Sequence, residues 1–379
     1  MLSYKLGKKK VLIFCTLMHI ISSITLAFCT TYTQAFLNRI FAGFCAGSIP
    51  VTKSLIREMT TDKNISEVYK YFAIGVGVAN VVGPLFSMAS TQSLSFVFGD
   101  FGFLKDYPYC FPLFFQYFLF SSLLGFFTLL IAGFYLVEDE RSIERGDELK
   151  FSLLNNRQYL LTVLVFCILA FTQVGFRLVF SLICSSSETI GGMGIKYEYQ
   201  VSLIQLSGGI IISFLSPILT KELHSKFGLK TSLLYLLLAI STASASLGIC
   251  ALLPEYLKYI GLILVYIIGN TSIIVSTLYI SICISNSITE DLLSTANGFS
   301  EAIIAVSRFS GNSCIGVLFG WSASVGLRIP GIDVKFACFI LSGILVVNLI
   351  LIKFRVDSSV EKKKQNKELS IELIEKRKI

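Results

Sequence analysis

Four basic side chains, Arg39, Lys53, Arg177 and Arg308, stand inside long apolar stretches of this chain. An arginine at the centre of a bilayer costs about 2.5 to 3.5 kcal/mol on the insertion scale, so it must meet protein or water, or reach outward to the interface. Lys53, near the end of its stretch, reads as reaching outward. Arg39 is followed at four-residue steps by Gly43 and Gly47. All three share a helical face on which small residues let another helix come close. For Arg39 two readings stand: a partnered charge within the membrane, or an interfacial one. Gln173 and Arg177, one turn apart, present a donor-rich face. Glu301 and Arg308, seven residues apart, share a face at close to two turns. An acid and a base inside a membrane are cheaper together than apart, so the pair reads equally as a structural bridge or as a proton-coupling element.

A further stretch, IGVGVANVVGPLF, carries Gly75, Ala79 and Gly83, with Ser87 continuing the four-residue repeat. Pro84 removes a backbone hydrogen bond and bends the helix, so this small-residue face reads as tight packing or as a hinge. Catalytic chemistry finds little footing. The two histidines, His19 and His224, lie far apart, whereas membrane iron enzymes need clustered imidazoles. There is no nucleophile elbow and no phosphate loop. The ten cysteines show no metal spacing and read as small apolar packing residues. The expectation is a protein that is not an enzyme, with no metal and no cofactor.

The elements that must position these residues are membrane helices. With 54% hydrophobic and 15% charged residues, the chain is too apolar for a soluble domain. Ten runs approach the roughly 20 apolar residues that span a bilayer as helix. They are Val11 to Cys29, Ala35 to Ile56, Tyr71 to Ser90, Phe111 to Leu136, Tyr159 to Cys184, Val201 to Thr220, Thr231 to Leu253, Leu257 to Ser285, Asn297 to Ser322 and Phe336 to Ile352. None alternates as a barrel strand would. With the first segment assigned to the cytosol, 23 Lys and Arg fall on that side and 5 on the other. That asymmetry follows the positive-inside rule and predicts cytosolic termini. The net charge of +8 therefore reads as orientation, not as affinity for nucleic acid. The opening MLSYKLGKKK, with no small-residue cleavage site after its apolar run, reads as the flank of a span and not as a signal peptide.

The charged segment 137–157 divides residues 1–136, with four spans, from residues 158–353, with six, and residues 354–379 form a basic tail. A second basic loop, KELHSKFGLK, echoes the opening: Lys5 precedes Gly7 as Lys226 precedes Gly228. Repeats of this kind are the usual plan of transporters, with the solute held between halves.

The pattern resembles the major facilitator superfamily, in particular its drug:proton antiporter branch and the zinc-induced-facilitator-like and tetracycline-resistance-like proteins. Arg39, Gly43, Gly47, Lys53 and Glu58 keep the spacing of the family's fourth helix, and Gly83 and Pro84 that of the antiporter motif in its fifth. GGMGIKYEYQVSLIQLSGG is similar to the approach to its eighth helix. Arg308, Gly311, Gly316, Phe319 and Trp321 match its eleventh. Lys5, Gly7, Lys8 and Lys9 resemble the end of its cytosolic loop motif, with Tyr4 where an aspartate is usual; Ser87 replaces a motif glycine.

The resemblance implies an all-α fold of two helical bundles. Ten spans then read as twelve without the first two, through a truncated gene model or a real loss. It also implies that the second, fifth and eighth spans line a cavity, which puts Arg39, Gln173, Arg177 and Asn270 at the solute. The activity implied is proton-coupled export of a small organic solute, drug or metal chelate by a monomer in a lipid bilayer, with the Gly83-Pro84 span as bending element. The alternatives are a transport-inactive scaffold or sensor, and a metabolite uniporter or importer.

Overall fold

The computed structural model describes residues 8–45, 51–52, 74–75, 77–85, 156–195, 198–288, 293–326 and 333–355. Regular structure among the described residues is helical throughout, as the apolar runs predict. The expected span Phe111 to Leu136, most of segment 137–157, nearly all of the basic tail, Lys5, Gly7 and Gly47 lie outside the described residues, as does the side chain of Lys8. The chain forms two compact units, Met1–Ile65 with Val82–Ser152 and Ser66–Val81 with Leu153–Ile379.

In the first unit, α1 (Lys8–Ala27) and α2 (Tyr32–Cys45) form a hairpin. A reciprocal cap starts α2: Gln34 N–H donates to Thr31 Oγ1 at 3.4 Å, and Thr31 N–H donates to Gln34 Oε1 at 3.3 Å. Two of the amides that a helix start leaves orphaned are thereby satisfied. Asn38 then ties α2 back to α1, donating from Nδ2 to the Ser22 carbonyl at 3.0 Å and to Thr25 Oγ1 at 2.5 Å.

The second unit holds α3 (Arg157–Ser185), α4 (Glu198–Cys250), α5 (Glu255–Asn286), α6 (Leu293–Gly326) and α7 (Lys335–Arg355). At 1.5 Å per residue a straight α4 would be about 80 Å long, more than twice a bilayer core. It breaks at Gly228, whose φ of 73° and ψ of 177° lie in a region reserved for glycine. The basic segment KELHSKFGLK, expected as a loop, is instead helical on both sides of this one residue. With α4 counted as two arms, the described residues of Leu153–Ile379 form six long helical segments.

Helix α3 is the centre. Asn156 caps it, accepting at Oδ1 from the amides of Gln158 and Tyr159 at 3.2 Å each, while its Nδ2 donates to the Ser287 carbonyl at the end of α5, 2.9 Å away. Contacts 156 with 287 and 180 with 266 run in opposite order, so α5 lies antiparallel to α3. On another side the Tyr159 hydroxyl donates to the Ala296 carbonyl at 2.8 Å. A Cβ on Gly311 would lie 2.7 Å from the Phe171 carbonyl oxygen, and one on Gly175 would lie 3.1 Å from Ile315 Cγ1. These contacts advance together, so α6 runs parallel to α3. Helix α7 closes the third side, where buried Asn348 donates to the Val165 carbonyl at 3.2 Å.

Ile304, Gly311, Ile315 and Ser322 of α6 are buried on one face, whereas Val306, Phe309 and Val317 are exposed on the opposite one. An apolar exposed face opposite a packed one is what lipid requires. Helices α1 and α3 to α7 are each long and apolar enough to cross a membrane.

Candidate functional site

The second unit gathers most of the polar residues singled out from the sequence around α3. Fifteen residues of this helix are buried, and its exposed ones are Arg157, Leu160 and Leu164 near the start and Arg177, Ser181 and Ser185 further on. Gln173 precedes these three by one turn. The spacing 173, 177, 181, 185 makes one polar stripe, since residues four apart stack on a helix. Gln173 and Arg177 were legible in the sequence. Ser181 and Ser185 continue the same four-residue step, a signal present in the sequence.

Arg177 is accessible yet closely surrounded, a side chain set into the protein surface. Its Nε donates to Asn270 Oδ1 on α5 at 3.4 Å. Asn270 is itself 1% exposed and donates from Nδ2 to the Tyr266 carbonyl at 3.2 Å. Arg177 lies within electrostatic reach of the Tyr266 side chain and of Arg308. No carboxylate of the described residues pairs with it. Gln173 Oε1 is buried and has no hydrogen-bond partner. Tyr266, one turn from Asn270, went unnoticed because a tyrosine in an apolar run gives no polar signal of its own.

Glu301 and Arg308 meet on α6, Nη1 to Oε2 at 3.8 Å, with Glu301 the more buried of the two. At that length the contact is a loose ion pair, not a charge-assisted hydrogen bond.

The small residues divide. Gly311 is a true close approach, with backbone of α3 against it, while Gly316 meets only Leu178 Cδ2 at 3.7 Å, an ordinary contact. Gly75 and Gly83 would admit a Cβ without meeting any described atom within 4 Å, as would Gly43. In the helical segment 77–85 the close contact to α4 is made instead by Gly77 and Asn80. A Cβ on Gly77 would stand 2.8 Å from Ser213 Cα, and one on Gly209 would stand 2.5 Å from the Asn80 carbonyl oxygen. Pro84 is part of the same helical segment. Arg39 is exposed on α2 and forms no ion pair among the described residues, and Lys9 lies in the first turn of α1.

Beyond Ser185 the stripe reaches a folded strap, Ser186 to Ile195. Met193 and Ile195 N–H donate back to the Ile183 and Cys184 carbonyls at 3.0 and 3.1 Å. The Val334 amide donates to the Ile190 carbonyl at 3.3 Å, and Lys258 Nζ meets Glu188 Oε1 at 2.6 Å. The strap thus joins the end of α3 to the starts of α5 and α7. The hydrogen bond and charge of Lys258 hold the Glu188 carboxyl below the usual carboxylate range.

Several apolar helices long enough to cross a membrane, with polar groups brought together across α3 and α5, are the architecture of a multi-pass membrane protein. The comparisons with known proteins agree. Residues 1–312 match the profile of the Major Facilitator Superfamily, and the chain belongs to that family. It is 22% identical to Protein ZINC INDUCED FACILITATOR-LIKE 1 of Arabidopsis thaliana over 379 residues, covering 91% of this chain and 76% of that protein. Among solved structures it is similar to the human organic anion transporter MFSD10, with a TM-score of 0.61 and 16% identity, covering 92% of this chain and 78% of that one. It is also similar to the E. coli fucose:proton symporter FucP, with a TM-score of 0.63 and 16% identity, covering 94% and 86%. The family and the site together support transport, not catalysis.

Proposed function

We propose that this protein is a secondary active transporter that exports a small organic solute, drug or metal chelate in exchange for protons, by alternating access. The observation that carries the reading is Arg177: an accessible guanidinium on a membrane helix, bonded to Asn270 of α5 and unpaired with any carboxylate among the described residues. A charge kept there at a cost of several kcal/mol has a task. Family membership supports movement of a solute, and FucP, named a proton symporter, shares the fold. Coupling falls to the Glu301–Arg308 pair, because protonation of Glu301 would release Arg308. Orientation follows the charge asymmetry, with both termini cytosolic and the monomer as the working unit.

The test is solute flux by the full chain in proteoliposomes with an imposed pH gradient. Flux should rise with the gradient, fall with Arg39→Ala or Arg177→Ala, and lose its pH response in Glu301→Gln while persisting down a solute gradient. Flux indifferent to the gradient and to all three substitutions would sink the coupling reading and favour a uniporter.

A further inference from the structure

Which charge the solute carries is written in how Arg177 is held, and this inference rests on the transport reading. We infer that Arg177 is the binding group for the carboxylate of a small organic acid. A guanidinium has five N–H donors in a rigid fork. The Nε–H edge is committed to Asn270 Oδ1 at 3.4 Å, and Asn270 is fixed in turn by its bond to the Tyr266 carbonyl at 3.2 Å. The group is therefore held by one edge, and its two terminal nitrogens remain for a ligand. That free edge matches the two oxygens of a carboxylate, which arginine binds bidentately.

Charge balance points the same way. The loose pair of Glu301 with Arg308 satisfies one guanidinium of this region, and Arg177 stands in reach of Arg308 with no carboxylate of its own among the described residues. One positive charge is in excess, and an anion offsets it, whereas a neutral solute gains at most hydrogen bonds from the fork and a cation is repelled. Gln173 adds a second requirement. Its Oε1 is buried without a partner one turn from Arg177, and an amide left so costs about 1–3 kcal/mol. A hydroxyl or amino group next to the ligand's carboxylate would satisfy it. Ser181 and Ser185 continue the polar face beyond Arg177 toward the strap, so the approach to the guanidinium is not an apolar one.

The test uses the full chain in proteoliposomes and four radiolabelled probes of similar size: mandelate, benzoate, benzamide and benzylamine. With uptake by protein-free vesicles subtracted throughout, the two acids should enter at least tenfold faster than the amide and the amine, with mandelate ahead of benzoate. Arg177→Gln should cut acid uptake at least tenfold, and Arg177→Lys should keep a measurable part of it. Asn270→Asp is the second variant: it sets a fixed carboxylate beside Arg177, competes with the ligand, and should cut acid uptake while the protein stays monodisperse. Uptake of benzamide or benzylamine at or above the rate of the acids overturns the anion inference and leaves transport standing. So does acid uptake unchanged by both Arg177→Gln and Asn270→Asp. Uptake of none of the four by folded protein counts against transport itself, and the inference falls with it.

Discussion

Asn270 Oδ1 accepts a hydrogen bond from Arg177 Nε at 3.4 Å, joining two antiparallel helices across 93 positions of sequence. Asn270 is buried and Arg177 is accessible, so in the role we propose the asparagine orients the guanidinium and the arginine binds the solute. Replacing Asn270 with leucine frees the guanidinium to rotate. The expected result is a five- to twentyfold rise in the half-saturating solute concentration with a smaller change in maximal rate, read from initial uptake rates. An equal fall in both would mean that Asn270 serves packing alone.

The tightest backbone approach in the seam between α3 and α6 is at Gly311. In Gly311→Ala the new Cβ would stand 2.7 Å from the Phe171 carbonyl, a backbone atom that cannot swing aside. Overpacking of this kind costs about 1–3 kcal/mol, visible as a lowered melting temperature in detergent. Gly316→Ala is the matched control: its nearest neighbour, Leu178 Cδ2, lies at 3.7 Å, and the melting temperature should hardly move.

The helical course of α4 is interrupted at Gly228. Its φ of 73° with ψ of 177° suits no residue with a Cβ. Gly228→Ala is expected to destabilise the protein by about 1–3 kcal/mol and to lower the yield of monodisperse protein. An alanine variant with unchanged melting temperature would show that the turn tolerates another conformation.

The Glu188–Lys258 pair gives the strap a pH dependence with a definite sign. The carboxyl is held below its ordinary value by the lysine's hydrogen bond and charge. A carboxylate depressed on folding contributes stability above its unfolded value of about 4.3 and loses it as pH falls through the lower folded value. Protection factors of the Met193 and Ile195 amides, from hydrogen–deuterium exchange rates corrected for the intrinsic rate at each pH, should show no loss due to this pair between pH 5 and 8. They should fall in more acidic solution, and in Glu188→Gln that acid response should vanish. A loss of protection between pH 6 and 8 would assign the strap's stability to another group.

Asn348 is buried on α7, donates to the Val165 carbonyl at 3.2 Å, and leaves its own Oδ1 without a partner. An amide half satisfied in this way contributes little, since removing it also removes an unmet acceptor. Asn348→Leu should therefore shift stability by less than about 1 kcal/mol, whereas Asn348→Asp, which buries a charge there, should lower the melting temperature sharply. A large loss with leucine would show that the single hydrogen bond to α3 outweighs the unmet oxygen.

The helical, membrane-spanning character of this protein was legible because it is local: twenty apolar residues in a row suffice, whatever lies beside them. So was the motif spacing that names the family, since Arg39 to Gly47 and Arg308 to Trp321 are patterns along single helices. The loop expected at KELHSKFGLK failed for a physical reason. Charge marks where a chain leaves lipid, but it does not end a helix, and the turn needed only the one glycine. The repeat at Gly75 and Gly83 was legible as a pattern, yet the described close contact runs through Gly77 and Asn80. Several faces of that segment carry small residues, and periodicity cannot say which meets a partner.

What the sequence determined by itself, then, was each helix, its polar positions, and the cost of every charge within it. The tertiary structure alone decided which polar groups of different helices meet. Glu301 and Arg308 are close because they share a helix face, a relation already contained in their spacing. Arg177 and Asn270 are close because α5 returns antiparallel beside α3 in a fixed register. That register comes from contacts such as Gly269 against Phe176 and Phe180 against Tyr266, in which shape alone discriminates. Between helices packed in lipid no hydrophobic gradient selects the register. Close-packed side chains do, and their fit is a property of the assembled bundle, absent from any single stretch of chain.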